Sequence, residues 1–155
     1  MKDIVNKLIE SKKTISTMES CTGGMFANEI TNIPNASQIF KFSAVTYSNE
    51  FKIKMNVSSE LINKYSVYSM EVAMDMSYQI SEFTNSDYGI GITGKLMKSD
   101  ENNPFGNDNI VYYAIYEKET NKYYTDKVIV NSNDRIINKR VVIEEIIKNL
   151  KTILK

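Results

Sequence analysis

The sequence predicts an α/β protein of three layers, in which helices pack on both faces of a mixed β-sheet. Two observations favour this class. Segments with helical periodicity lie early and late in the chain, and short β-branched or aromatic runs lie between them. The composition agrees, since 42% of the 155 residues are hydrophobic and 25% are charged. We find no internal repeat and no linker, so residues 1–155 are interpreted as a single domain.

The first third of the chain predicts helices and strands in alternation. Apolar residues recur at helical spacing over residues 4–9, and a strand is predicted over residues 14–18. A helix is predicted over residues 24–31, followed by a second strand over residues 42–47. Residues 49–55 are typical of a helical turn or a short helix. The two strands are therefore expected to be joined by a helix.

The middle of the chain predicts two capped helices and a third strand. Ser58 and Ser59 are suitable N-caps for a short helix, and Ser69 for a longer one. The apolar face of the longer helix consists of Val72, Ala73, Met76, Ile80 and Phe83. A short apolar strand over residues 88–93 follows and ends in Thr93-Gly94.

The last third predicts a loop, a hairpin and a helix. Residues 95–109 are polar and rich in turn formers, which indicates a mobile loop. Residues 110–116 and 123–130 alternate as in a β-hairpin, and the final helix is predicted over residues 134–154. Its inward residues are predicted to be Ile143, Ile146, Ile147, Leu150 and Leu154.

Composition excludes several kinds of chemistry. The chain has no histidine, so Ser-His-Asp and Cys-His catalysis are excluded and a zinc site is not expected. Any general base must be a carboxylate, a lysine of lowered pKa or a tyrosine. Basic and acidic residues number 19 each, which gives no global field for nucleic acid or an anionic membrane. The one cysteine and the lack of an apolar run near 18 residues favour a cytoplasmic protein outside the membrane.

Residues 17–24, Thr-Met-Glu-Ser-Cys-Thr-Gly-Gly, are typical of a strand that turns sharply into a helix. Ser20 and Cys21 stand at this bend, beside amide N–H groups that attract anions and developing oxyanions. Either side chain becomes a nucleophile if a base lies near it. Tight turns demand glycine for conformational reasons alone, so by itself the pattern favours a plain turn.

A second group of residues supplies a candidate base. Tyr47 ends the second predicted strand, and Lys52 follows five residues later. Because ligands gather outside the carboxyl ends of strands in α/β sheets, both side chains are candidates to take a proton from Ser20. A lysine can do so only if its pKa falls by about 2–3 units. On spacing alone, an exposed tyrosine and a solvated lysine are the better supported interpretation.

Together the two stretches resemble the CinA C-terminal domain family, which includes nicotinamide mononucleotide deamidases. The family's first signature, Glu-Ser-Cys-Thr-Gly-Gly, is matched by residues 19–24. Its second, Tyr-Ser-Asn-x-x-Lys, is matched by Tyr47, Ser48, Asn49 and Lys52. Further matches follow in order at Pro34, Ser37, Phe40, Ser69, Glu71, Val72, Ala73, Asp134 and Arg135. The resemblance covers nearly the whole chain.

The resemblance implies a metal-independent amidohydrolase that needs no cofactor and converts nicotinamide mononucleotide to nicotinic acid mononucleotide and ammonia. It implies that Ser20 is the nucleophile and that Tyr47 and Lys52 activate it. The substrate-binding residues expected from the matched motifs are Cys21, Thr22, Gly23, Gly24, Asn49, Thr93, Gly94 and Arg135. Amides near residues 22–24 are expected to hold the oxyanion, and Arg135 the substrate phosphate.

Alternatives remain open at this stage. Cys21 is a rival nucleophile, and a surface ion pair explains Arg135 equally well. The family has Gly-Gly where this chain has Phe42-Ser43, and Ile-Ala-Gly-Pro where residues 95–98 read Lys-Leu-Met-Lys. These departures keep a second hypothesis alive, a non-catalytic relative that acts as a nucleotide-binding or protein-interaction module. The expected partners are a pyridine nucleotide and, as in the family, a second copy in a homodimer, with no nucleic acid and no membrane.

Overall fold

The structure, a computed structural model, describes residues 1–98 and 104–154. The helices are α1 (Lys2–Ser11), α2 (Met25–Thr31), α3 (Asn49–Lys54), α4 (Ser59–Tyr65), α5 (Met70–Thr84) and α6 (Arg135–Ile153), with a 3-10 turn at Ala36–Gln38. The strands are β1 (Ile15–Glu19), β2 (Phe40–Val45), β3 (Tyr88–Gly94), β4 (Ile110–Glu117) and β5 (Lys122–Ile129).

The strands form one mixed sheet in the order β2-β1-β3-β4-β5. β1 pairs in parallel with β2 and β3, whereas β4 pairs antiparallel with β3 and β5. The carboxyl ends of β1, β2 and β3 therefore meet at one edge of the sheet, which is where ligands bind in open α/β sheets. This confirms the predicted mixed sheet and positions the candidate site.

Two apolar clusters show that helices cover both faces of the sheet. One cluster joins α1, α2 and α6 to the strands through residues such as Leu8, Phe26, Ile92 and Ile146. The other joins α4 and α5 to β1 and β2, and its buried members are Met18, Ala44, Val57, Ile62, Val72, Met76 and Ile80. The predicted three-layer α/β/α architecture is thus confirmed.

Two glycines of β3 bring α5 unusually close to the sheet. A Cβ atom built on Gly91 would lie 2.1 Å from the Ala73 carbonyl oxygen, and one on Gly89 would lie 2.0 Å from that of Ser77. No side chain fits at these distances, so the backbone of β3 packs directly on α5. On the alternating positions, Ile90 and Ile92 are fully buried in the cluster with α1, α2 and α6.

The boundaries differ from the predicted ones chiefly in β2. This strand covers Phe40–Val45, two residues earlier than expected, so Thr46 and Tyr47 lie outside it. Ser48 then caps α3 by accepting a hydrogen bond from the Phe51 amide. The sequence pattern was ambiguous here because the apolar and aromatic run continues past the last paired residue.

The loop predicted over residues 95–109 lies partly outside the described residues, since 99–103 are not among them. Its start is anchored, because the Lys95 amide donates to the Ile110 carbonyl at 2.9 Å. Lys95 and Leu96 are both buried. The expectation of a mobile loop was therefore wrong for its first two residues. In the described part of the chain, no helix is long and apolar enough to cross a membrane.

Candidate active site

The bend after β1 follows the course predicted from its sequence. β1 ends at Glu19, and Gly23 and Gly24 adopt positive φ angles of 62° and 90° before α2 begins. Glycine populates this region without steric cost, whereas an ordinary side chain is strained there. A Cβ atom on Gly23 would also lie 3.2 Å from the Lys139 Nζ atom. The two glycines therefore allow a tight turn beneath α6.

The Glu19 side chain caps α2 from inside the protein. Glu19 is fully buried, and its carboxylate accepts a hydrogen bond of 2.6 Å from the Thr22 hydroxyl. It also accepts hydrogen bonds from the backbone N–H groups of Gly24 and Phe26 at 3.2 Å and of Ala27 at 2.9 Å. Glu19 thereby uses the free N–H groups that a helix N-terminus would otherwise offer to an anion.

This arrangement corrects the expected site of the oxyanion. The Gly24 amide donates to Glu19, and the Gly23 amide donates to the Ser20 carbonyl at 3.0 Å, so neither is available to substrate. The Thr22 hydroxyl is likewise taken by Glu19. Within the described residues, the amides of Cys21 and Thr22 donate to no backbone carbonyl. These two amides beside Ser20 are the remaining candidates.

Ser20 and Lys52 lie in contact, as the sequence predicted. The Lys52 Nζ atom is 3.1 Å from the Ser20 hydroxyl oxygen. It also donates a hydrogen bond of 2.7 Å to the Thr46 carbonyl, at the end of β2. Ser20 is 8% exposed and Lys52 only 2%. The cap at Ser48 starts α3 so that Lys52 falls one turn later, where its side chain reaches back to the bend.

Burial gives Lys52 the property that a general base needs. Removal from water lowers the pKa of its ammonium group from 10.5 to about 8, because the charged form loses hydration; the nearby Cys21 opposes this shift. In the described structure no carboxylate forms a salt bridge with Lys52. With that pKa, about a tenth of the molecules carry a neutral amine at pH 7.

Cys21 is poorly suited to be the nucleophile. It is 6% exposed and belongs to the apolar cluster shared with α2 and α6. Burial raises the pKa of its thiol to about 12, so the reactive thiolate is scarce at neutral pH. Cys21 lies at the wall of the site, but its chemistry favours a packing role over the rival assignment considered from sequence.

Two hollows meet at Ser20. The smaller has a volume of about 340 Å³, and the positively charged side chains of Lys95, Lys98 and Arg135 are part of its lining. The larger, of about 1070 Å³, opens to solvent and is lined by Lys52 and by several aromatic rings. These rings belong to Tyr47, Tyr65, Tyr68 and Phe105. A ligand that carries both an anionic group and an aromatic ring matches this pair of hollows.

Tyr47 lies at the junction of the two hollows but does not take part in the Ser20–Lys52 contact. Its side chain is 67% exposed, and within the described residues its hydroxyl forms no hydrogen bond with Ser20 or Lys52. The cause is the early end of β2, which leaves Tyr47 on the open connection to α3. The expected relay of a proton through Tyr47 is therefore not supported, and the residue instead lines the entrance with Asn49 nearby.

The remaining predicted binding residues divide between wall and core. Gly94 and Arg135 line the smaller hollow. Thr93 does not, since it is fully buried and its hydroxyl donates to the Val67 carbonyl at 2.8 Å. A Cβ atom on Gly94 would lie 2.4 Å from the Ile110 carbonyl oxygen, so the glycine serves close packing against β4.

One departure from the family pattern lies away from the site. Phe42 and Ser43 belong to β2, and the Phe42 ring packs on Phe83 with a centroid distance of 5.4 Å. The Ser43 hydroxyl pairs with that of Thr17 at 2.6 Å. Neither residue lines either of the two hollows, so the two added side chains do not obstruct Ser20.

Sequence reasoning missed two polar residues beside the smaller hollow. Lys95 is 6% exposed, and its Nζ atom lies 5.0 Å above the centre of the Tyr68 ring. Asn138 is 1% exposed and bonds to the Leu96 backbone. The spacing held a signal for Asn138, because it lies four residues before the buried Val142 and so shares the inward face of α6.

The described residues contain no group of three or more histidine, cysteine, aspartate or glutamate side chains able to hold a metal ion.

Comparison with known proteins places the chain in a family. A profile of the CinA C-terminal domain matches residues 1–154. The chain belongs to the CinA C-terminal domain family. A CinA-like protein of Prochlorococcus marinus is 32% identical over 154 residues, covering 97% of this chain and 35% of the relative. A CinA-like protein of Thermosipho melanesiensis is 32% identical over 143 residues, covering 90% of this chain and 35% of the relative. This CinA domain thus spans about a third of the length of these relatives.

Solved structures agree on the fold of the CinA domain. A CinA superfamily protein of Enterobacter cloacae superposes with a TM-score of 0.88 at 22% identity, covering 99% of this chain and 92% of that one. The Klebsiella pneumoniae protein KP700603 of the same superfamily gives a TM-score of 0.89 at 21% identity, covering 99% and 94%. At such identities the likeness concerns the fold, not the chemistry.

Proposed function

We propose that the chain is a serine amidohydrolase that removes ammonia from the carboxamide of nicotinamide mononucleotide and leaves nicotinic acid mononucleotide. The observation that carries the proposal is the buried Lys52 amine, 3.1 Å from the Ser20 hydroxyl and without a salt-bridge partner among the described residues. A nucleophile and a base within hydrogen-bond reach are the minimum that covalent acyl transfer requires.

The first half of the reaction forms an acyl-enzyme. Neutral Lys52 takes the Ser20 proton while its own N–H donates to the Thr46 carbonyl, an arrangement that aims its lone pair at Ser20. The Ser20 oxygen bonds to the carboxamide carbon, and the carbonyl oxygen gains the negative charge. The amides of Cys21 and Thr22 are the donors that stabilise this oxyanion. Lys52 then returns its proton to the amide nitrogen, and the carbon–nitrogen bond breaks to release ammonia.

The second half returns the enzyme to its starting state. A water molecule gives a proton to Lys52 and attacks the ester carbon, and the bond to the Ser20 oxygen breaks. Lys52 reprotonates Ser20, and the pyridine carboxylic acid that forms gives its proton to the released ammonia or to water and leaves as the carboxylate. Ser20 and Lys52 carry the protons that move between enzyme and substrate, so the proposed steps call on neither a metal nor a cofactor.

The two hollows support a nucleotide substrate. A phosphate group is attracted by the side chains of Lys95, Lys98 and Arg135 in the smaller hollow. The larger hollow offers the rings of Tyr65, Tyr68 and Phe105 for an aromatic base. Membership of the CinA C-terminal domain family, whose deamidases act on nicotinamide mononucleotide, supports the same choice.

The deciding experiment measures ammonia release from nicotinamide mononucleotide by the purified chain in the presence of a chelator. We expect stoichiometric formation of ammonia and nicotinic acid mononucleotide. A thermal-shift titration with the same nucleotide runs in parallel. A nucleotide-dependent rise in melting temperature without any ammonia would contradict the enzyme and favour the nucleotide-binding module. Homodimer formation and a cytoplasmic location stay predictions, which size-exclusion chromatography with light scattering and cell fractionation would test.

A further inference from the structure

The side chain of Asn138 forms a fully satisfied hydrogen-bond junction inside the protein. It is 1% exposed. Its Nδ2 atom donates to the Leu96 carbonyl at 2.6 Å and to the Ser132 carbonyl at 2.8 Å. Its Oδ1 atom accepts from the Ser132 amide at 3.0 Å. Both amide hydrogens and the carbonyl oxygen of Asn138 are thus in use, which fixes the orientation of the group.

The two backbone partners of Asn138 belong to two segments, each of which also carries residues that line the smaller hollow or lies next to one that does. Leu96 lines that hollow, in the segment that also carries Lys95 and Lys98. Ser132 precedes α6, and its hydroxyl accepts a hydrogen bond of 3.0 Å from the amide of the cap residue Asp134. Arg135, the first residue of α6, also lines this hollow. One side chain therefore joins the segment after β3 to the start of α6.

The backbone hydrogen bonds of Lys95 and Met97 lead to the start of β4 rather than to α6. Lys95 is held by the Ile110 carbonyl at 2.9 Å, and the Met97 carbonyl accepts from the Asn109 amide at 3.5 Å. These bonds do not fix the distance between this segment and Arg135. The Asn138 bond to Leu96 links this segment directly to α6, on which Asn138 lies one turn after Arg135.

We infer that Asn138 is a positioning residue, whose bonds to Leu96 and Ser132 hold Arg135 and the Lys95–Lys98 segment at the spacing that receives the anionic group of the substrate. The inference rests on the proposed function for the identity of that substrate. Asn138 does not touch the reacting atoms. Lys52 and Ser20 are held by the Thr46 carbonyl and by the Glu19-capped bend, so the chemical step does not depend on Asn138.

The test replaces Asn138 with leucine, which has a similar volume and neither donor nor acceptor. Asn138→Ser is the second variant, because it is smaller and is tolerated if leucine prevents folding. The matched control is Asn149→Leu on the same helix, which removes the partly buried bond from Asn149 to the Tyr113 hydroxyl at 3.1 Å, outside both hollows. Each protein is assayed for turnover and for calorimetric binding, with nicotinamide mononucleotide and with nicotinamide riboside, which lacks the phosphate.

For both Asn138 variants we expect the KM and the Kd for the mononucleotide to rise by about tenfold or more while kcat stays within about threefold. The KM and the Kd for the riboside should stay within about threefold of the wild-type values, so the preference for the phosphorylated substrate falls. Asn149→Leu should keep that preference. If Asn138 had a merely structural role, its replacement would lower the folded fraction and would reduce the activity with both substrates in the same proportion.

The outcomes separate the two proposals. If the wild type releases ammonia and both Asn138 variants keep the wild-type preference, the positioning role is overturned and the function stands. If the wild type binds the mononucleotide without releasing ammonia, the proposed function is overturned. The ratio of the Kd for the riboside to the Kd for the mononucleotide then tests Asn138: a lower ratio in both variants than in the wild type supports the positioning role, and an equal ratio overturns it. If the wild type neither binds nor converts it, both proposals are overturned.

Discussion

The Lys52 Nζ atom lies 3.1 Å from the Ser20 hydroxyl oxygen, although Ser20 directly follows β1 and Lys52 belongs to α3, which follows β2. The amine is buried and also bonded to the Thr46 carbonyl. A lysine in this environment can act as a proton acceptor near neutral pH, since burial disfavours its charged form.

Separate alanine substitutions of the two adjacent candidate nucleophiles, Ser20 and Cys21, should have opposite effects on ammonia release. Ser20→Ala removes the attacking oxygen and should reduce ammonia release by about 10³-fold or more. Cys21→Ala should keep kcat within about threefold, because the protonated thiol has no chemical role. The rate of each variant is measured on purified protein that circular dichroism has shown to be folded. Retained turnover in the serine variant, with loss in the cysteine variant, would reverse our assignment.

The rate should depend on pH through Lys52. Deprotonation of its ammonium group creates the base, so kcat should rise with pH and level off above a midpoint near the pKa of about 8. Lys52→Met should abolish activity, and Lys52→Arg should do the same, because arginine keeps the positive charge and stays protonated. Stopped assays from pH 6 to 10 would check this. A wild-type profile that is flat over this range would argue against Lys52 as the base.

The lowered pKa of Lys52 should also make the stability of the protein depend on pH. Because the pKa of Lys52 is lower in the folded chain than in the unfolded one, the unfolded state binds more protons between about pH 8 and the ordinary value of 10.5. The contribution of Lys52 to the free energy of unfolding therefore rises with pH across this window, by about 3 kcal/mol in all. Lys52→Met should be more stable than the parent at pH 7, with the difference shrinking toward pH 10.5.

The stability measurement needs a background without Cys21. Burial raises the pKa of that thiol from 9.0 to about 12, so the folded state holds its proton longer and stability from this group is lost as pH rises through the same region. Denaturant titrations should therefore compare Cys21→Ala with Cys21→Ala/Lys52→Met. Parallel stability curves for these two proteins from pH 7 to 10.5 would contradict the lowered pKa of Lys52.

Removal of the internal cap should damage the bend itself. Glu19→Gln cannot accept hydrogen bonds from three backbone amides and the Thr22 hydroxyl as the carboxylate does. We expect a loss of about 3 kcal/mol in the free energy of unfolding, with loss of turnover. Thr22→Val, which removes one of these bonds, should lose about 1 kcal/mol. Urea denaturation gives both values, and equal stability of Glu19→Gln and wild type would refute the capping role.

The proposed contact of Arg135 with the substrate phosphate can be tested against a neighbour on the same helix. Arg135→Met should raise the KM for nicotinamide mononucleotide by about 10- to 100-fold, the range expected for a lost bond between charged groups. Arg140, also exposed on α6 but outside both hollows, is the control, and Arg140→Met should leave KM unchanged. Equal KM values for the two variants would assign the phosphate to another residue.

The mixed sheet and the bend after β1 were predicted from local patterns, whereas the pairing of Ser20 with Lys52 was expected from the family resemblance, because spacing alone favoured a solvated lysine. Glycines after a short strand demand a tight bend, and the end of the next strand must lie at the same edge of a parallel sheet. The capping by Glu19 could not be predicted, since no pattern says that a strand residue turns its carboxylate under the following helix. The position of Tyr47 depended on where β2 stops pairing, a boundary that the β-forming run continuing through Tyr47 concealed. Asn138 was missed because its partner Leu96 lies 42 residues away.

Because Lys52 is buried, artificial selection for heat resistance alone should favour its replacement. A buried amine that has no salt-bridge partner among the residues the structure describes opposes folding, and an apolar residue of similar length removes this cost. A random library of this chain, screened only for survival after heating, should therefore become enriched in replacements at position 52. The selected proteins would be more stable to heat but inactive, whereas a screen for ammonia release would retain lysine at this position.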